Sequence, residues 1–201
     1  MPAFIQNLIF DLFGNNAHIC TFVASMLPII EVKGAIPLGT NAEIWANPLS
    51  IWNALLYSIL GSLCCVILLF VFLQLVKKMI LQSRKIRNIY DSLKNKISSS
   101  SKQIGLLNTP LKQFALLSIF TLIPLPFTGY YSSCLLASVC NLKTLPSILS
   151  ISVGNILCGL MIAGLSSISP TINLILFYIF LFAFLIFLLY IMIVLKTTLK
   201  K

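Results

Sequence analysis

Glu31 and Lys33 stand two residues apart inside LPIIEVKGAIPLG (27–39), which packs two prolines, two glycines and two charges into thirteen positions between apolar stretches. Charge in an apolar medium costs several kcal/mol and is kept where it serves an ion, proton or substrate path. Residues at this spacing do not share a helix face. The expectation is therefore an unwound chain between Pro28 and Gly34, where both groups converge on one cavity. Glu31 would carry a proton or orient Lys33, and Lys33 would pair with an anionic substrate group. The other reading is a short helix ending at Pro28, with both charges at the headgroups. A second break, PLPFTG (124–129), has no charge. Pro124 and Pro126 would interrupt the helix there, leaving Thr128 and the Gly129 amide to bind a polar group, as helix N-termini favour anions. A tight turn needing Pro and Gly for backbone reasons alone accounts for the same residues.

The elements that must hold these groups are set by composition. Of 201 residues, 59% are hydrophobic and 9% charged, against about a quarter charged in soluble domains. Such a chain cannot coat a water-facing surface, so the fold class is an all-α integral membrane protein. Fourteen Lys and Arg against four Asp and Glu give a formal charge of +10. The basic residues cluster in one loop and at the C-terminus without interleaved aromatics, which fits membrane lipids as partners and excludes nucleic acid. The cysteines (Cys20, Cys64, Cys65, Cys134, Cys140, Cys158) lie in apolar stretches with no C-x-x-C pair, and are read as small hydrophobes. With one histidine and four acids, no metal, cofactor or enzyme constellation is expected. His18 and the pair Glu43 and Trp45 read as interfacial, the latter marking the outer water boundary.

In chain order, 3–13 suits a helix lying in the interface. Residues 17–48 are too broken by Pro28, Gly34, Pro37 and Gly39 for a spanning helix, which needs about 20 apolar residues. They are expected to form a re-entrant hairpin. Residues 49–76 form a span without a charge, with Asn53, Tyr57, Gly61 and Cys65 at intervals of four. Nine basic residues and one acid, Asp91, fill 77–112. Residues 113–140 repeat the broken pattern, with two eleven-residue arms flanking PLPFTG. Spans follow at 145–169, with Asn155, Gly159, Ala163 and Ser167 at intervals of four, and at 171–195, which has five phenylalanines and no glycine. The last suits a lipid-facing position, and Asn53 and Asn155 would bond across helix interfaces.

Basic residues favour the cytoplasm. If 113–140 dips in and returns, the 77–112 loop, Lys143 and the C-terminal lysines all fall inside; if it crosses, the C-terminus falls outside. The hairpin at 17–48 must then enter from the opposite face. The whole chain, 1–201, reads as one membrane domain built on an inverted repeat. Repeat one is 1–76, repeat two is 113–169, and 171–195 is an extra span. One offset of 98 residues keeps the blocks in register, matching Pro28 with Pro126, Pro48 with Pro146 and Gly61 with Gly159. Three full spans enclose little volume, which would admit a homodimer.

The stretch PIIEVKGAIPLG (28–39) resembles the E-[LV]-[RK]-G-A-I-P-x-G signature of the small multidrug export protein family, and IPLPFTGYYS (123–132) is similar to its Pro-x-Pro-x-T-G signature. The family in turn looks like a distant branch of the DedA/VTT superfamily, whose members have paired re-entrant hairpins and include polyprenyl-phosphate transporters and lipid scramblases. Lys33 stands where arginine is common, giving a point charge in place of a bidentate fork. The resemblance implies a small transporter in the cell inner (plasma) membrane. Its small-molecule or lipid-phosphate substrate would pass between two hairpin tips, with proton coupling through Glu31; a DedA-like scramblase or carrier is the alternative.

Overall fold

A computed structural model of the chain describes residues 16–80, 109–125 and 128–198. The interfacial helix expected at 3–13, most of the basic stretch 77–112, and Pro126 lie outside the described residues. Every regular element among the described residues is helical: α1 (Ala17–Ser25), α2 (Glu31–Gly39), α3 (Ile51–Ile80), α4 (Pro110–Leu122), α5 (Tyr130–Val139), α6 (Thr144–Ile168) and α7 (Pro170–Thr198). Of these, Ile51–Lys77, Thr144–Ile168 and Pro170–Val194 are long and apolar enough to cross a membrane, where the sequence places its spans. The most hydropathic, on α7, is also the least covered, 11% buried against 44% on α6. This fits a surface turned to lipid.

Two compact units make up the chain. Unit 1 comprises 1–62 and 159–201, and so holds α1, α2, the start of α3, the end of α6, and α7. Asn16 caps α1 by accepting from the amides of His18 and Ile19, the usual role of an Asn at that position. The chain turns at Met26 and returns as α2, which packs on α1 and α7. Each arm is nine residues, about 13 Å as helix, so neither reaches across a bilayer. Every residue of α2 is buried, which small residues at its contacts permit. A Cβ built on Gly39 would lie 2.2 Å from Thr21 Oγ1, and one on Gly34 would lie 3.1 Å from the Phe180 Cβ. Gly61 of α3 lies against the Phe22 carbonyl of α1, 2.2 Å from such a Cβ.

Unit 2 comprises 63–158. Thr109 caps α4 with Pro110 just inside the helix, a favoured start. Helix α4 ends at Leu122, and α5 begins at Tyr130 and packs on α4. A helix break in the middle of 113–140 is therefore present as expected, with Pro126 and Phe127 outside the described residues. The end of α5 is closed by a Schellman motif: Leu142 N–H bonds Ala137 O at 3.0 Å and Asn141 N–H bonds Ser138 O at 3.2 Å. Asn141 supplies the left-handed turn, φ 55°, which Asn accepts more readily than most side chains. Gly154 of α6 lies against the Ser118 carbonyl of α4, 2.3 Å from a built Cβ. Each hairpin's first arm is thus met by a glycine of a long helix, Gly61 in unit 1 and Gly154 in unit 2. The offset of 98 paired Gly61 with Gly159 instead; Gly159 faces Val32 and Leu55.

The stripes at four-residue spacing are only partly covered. Gly61 and Cys65 are buried, Tyr57 is half-buried and Asn53 is exposed; on α6 Asn155, Gly159 and Ala163 are buried and Ser167 is exposed. Steps of four drift by about 40° each on a 3.6-residue helix, so a stripe leaves the covered face within a few turns. Asn53 is not a buried interface residue; only Asn155 is.

Candidate functional site

Five residues separate α1 from α2, and their backbone is unusual. Ser25 closes α1 by donating its hydroxyl to the Phe22 carbonyl at 2.7 Å. Ile29 has φ 75° and Glu31 φ 46°, a region that costs most side chains about 1–2 kcal/mol and a β-branched one more. The Glu31 amide bonds Leu27 O at 3.0 Å, and Gly34 N–H to Ile30 O at 2.7 Å begins α2. The unwound chain is therefore shorter than expected from the sequence. It ends at Ile30, and Lys33, Gly34, Pro37 and Gly39 all belong to a helix.

At the head of that helix the Lys33 ammonium lies 3.3 Å from the Glu31 carboxylate. Glu31 is 4% exposed and Lys33 2%. A regular helix would point residues two apart in nearly opposite directions. The left-handed backbone at Glu31 releases the carboxylate from that rule. Position favours the acid as well, since a helix N-terminus stabilises negative charge by about 0.3–1 kcal/mol. Pro28 sits in the turn, where the missing N–H costs nothing. Pro37 sits inside α2, and its nitrogen cannot donate to the Lys33 carbonyl one turn back.

The other end of α2 carries polar groups that the sequence analysis passed over. The Thr40 hydroxyl is 3.0 Å from the Ile36 carbonyl and 3.3 Å from Asn173 Oδ1 of α7. Asn41 is 2% exposed and accepts the Glu43 amide at 2.8 Å. Asn173 had a signal available: it is an amide within a span otherwise almost wholly apolar. Trp45 is 1% exposed, and its Nε1 donates to the Leu38 carbonyl at 2.9 Å. Its ring is packed inside the protein; the 40–50 loop folds back over the hairpin, and Glu43 alone of the two is exposed. His18 is exposed and meets Tyr57 edge-on, ring centroids 4.8 Å apart.

In unit 2 the donors at the second tip are engaged locally. The Thr128 hydroxyl lies 2.8 Å from Ile123 O and 3.0 Å from Leu125 O, and the Gly129 amide donates to Ser132 Oγ at 3.2 Å. This is how a turn closes itself. Pro124 is in the turn between α4 and α5. Glu31, Lys33, Pro28, Gly34, Pro37 and Gly39 thus come together in unit 1, while Pro124, Thr128 and Gly129 belong to unit 2. The described residues contain no group of His, Cys, Asp and Glu able to hold a metal.

Three long apolar helices, together with paired short helices that surround a charged couple, define a multi-pass helical membrane protein. The chain belongs to the family described as "Putative small multi-drug export protein", whose profile matches residues 31–161. That range opens on Glu31, takes in α2 and the second broken segment, and ends within α6. No curated protein and no solved structure matches the chain.

Proposed function

We propose that the protein is a small exporter of the inner (plasma) membrane, with Glu31 and Lys33 at its substrate and proton site. The observation that carries this reading is the buried pair itself. Nearly sealed charges held by a left-handed backbone are expensive, and such groups inside membrane helices serve transport as a rule. Membership of an export family points the same way. In this reading an anionic substrate group or a proton competes for one member of the pair. A proton on Glu31 frees Lys33 to take the substrate, and its release restores the couple. The two helix pairs are re-entrant hairpins of an inverted repeat, with the basic loop and C-terminus in the cytoplasm.

The short arms support the re-entrant part. Pro110 at the start of α4 and Asn141 just beyond α5 line one cavity, so this pair leaves and returns at the same end of unit 2. The test is transport by the purified chain in proteoliposomes under an imposed pH gradient, with the anionic dye calcein as the probe. Wild type should accumulate dye and Glu31→Gln, equally inserted, should not. Gradient-independent equilibration of a dye-labelled phospholipid, without calcein accumulation, would replace the exporter by a DedA-like scramblase.

A further inference from the structure

Four helix ends meet at one end of unit 2, and a cavity of about 440 Å³ opens among three of them. Its described lining includes Pro110, Gln113 and Phe114 of α4, Asn141 and Lys143 beyond α5, and Ser147 of α6. The fourth end is that of α3, whose Lys77 donates to Asn141 Oδ1. Lys77 and Asn141 also line a smaller cavity of about 150 Å³ with Gln74 and Thr144. Asn141 thus stands between two hollows, each with a lysine in its wall. Residues 63–158 contain ten Lys and Arg against one acid, Asp91.

We infer that the larger cavity holds the phosphate headgroup of an anionic membrane lipid. Three properties select that ligand. Charge excludes a cation, because the wall carries Lys143 and the unit is strongly basic. The N-termini of α4 and α6, at Pro110 and Thr144, add their positive dipole ends to the lysine. Size and lining exclude a bare inorganic anion as the fitted ligand. The volume lies within the range of about 300–1,000 Å³ typical of organic ligands, and Phe114 and Leu117 give the wall an apolar side suited to the glycerol and first methylenes. Basic pockets between helices at the cytoplasmic face take such headgroups in general. The site belongs to unit 2, and its occupancy does not require Glu31.

The test is native mass spectrometry of the full chain released from nanodiscs of mixed phosphatidylglycerol and phosphatidylcholine. Wild type should retain phosphatidylglycerol and shed phosphatidylcholine. Lys143→Gln should weaken retention about five-fold, the worth of one surface cation near a headgroup, and Lys143→Arg should restore it. Gln113→Leu should also weaken it, while Lys196→Gln on α7 should not. Equal losses in Lys143→Gln and Lys196→Gln would reduce the effect to general surface charge and overturn the site. So would wild-type retention by Lys143→Gln, or displacement of the lipid by millimolar glycerol 1-phosphate.

Discussion

Glu31 and Lys33 pair at 3.3 Å across a spacing that ordinary helix geometry keeps apart. Breaking a buried pair leaves one charge stranded at a cost of about 3–5 kcal/mol, whereas removing both charges is far milder. Lys33→Gln or Glu31→Gln alone should therefore lower the melting temperature in detergent markedly. Joining the two substitutions should recover much of the loss. Additive losses in the double variant would show that the two side chains are not coupled.

The glycines separate into tight and open positions. Gly61→Ala drives a methyl against the Phe22 backbone carbonyl, which cannot step aside, and should destabilise by about 1–3 kcal/mol. Gly164→Ala meets nothing within 4 Å and should be neutral or slightly stabilising, as Ala is the better helix former. Gly39→Ala collides with Thr21 Oγ1, so adding Thr21→Ala should rescue part of its loss. Thermal unfolding of the four variants checks all three statements.

Trp45 offers a graded case. Trp45→Phe keeps a large ring but removes the Nε1 bond to the Leu38 carbonyl, for about 1 kcal/mol. Trp45→Ala empties a fully buried site and should cost about 3–5 kcal/mol. Trp52, at 69% exposure on α3, should tolerate either change. Unfolding of matched pairs measures the contrast.

At the end of α5, Asn141 should accept Gly almost without loss, since Gly favours the left-handed backbone. Asn141→Val should cost about 1–2 kcal/mol, because a β-branched side chain resists that region. Equal stabilities would mean that the Schellman turn does not hold in the membrane.

Accessibility labelling tests the hairpin in unit 2. Single cysteines at 109 and 141, in an otherwise cysteine-free chain, should both react from the cytoplasmic side. Labelling from opposite sides would mean that α4 and α5 cross the bilayer between them.

Much of this architecture could be read from residue order alone. Runs of apolar residues gave the three spans within a few positions, because span length is set by bilayer thickness. Pro and Gly density located both helix breaks. The pairing of Glu31 with Lys33 was harder, since spacing rules presume a regular helix and nothing in Ile29 or Glu31 announces a left-handed backbone. The helical state of α2 was also hidden. Pro37, with Gly34 and Gly39, argues against a helix locally, yet those glycines allow the close contacts with α1 and α7 that stabilise it. Trp45 looked interfacial because aromatic belts are common; only the folded 40–50 loop reveals its burial. Asn173 was overlooked as one amide among phenylalanines, although its isolation was itself a clue.

The contact between Gly34 and Phe180 joins residues 146 positions apart in a chain of 201, and this sets an order on biosynthesis. The ribosome delivers α2 long before α7, so the charged couple enters the insertion machinery without the helix that later covers it. Until α7 arrives, the nascent chain has a polar flaw on its flank, a natural mark for chaperones or quality-control proteases. A chain stopped before Pro170 should therefore be degraded quickly, even though two of its three spans are already threaded.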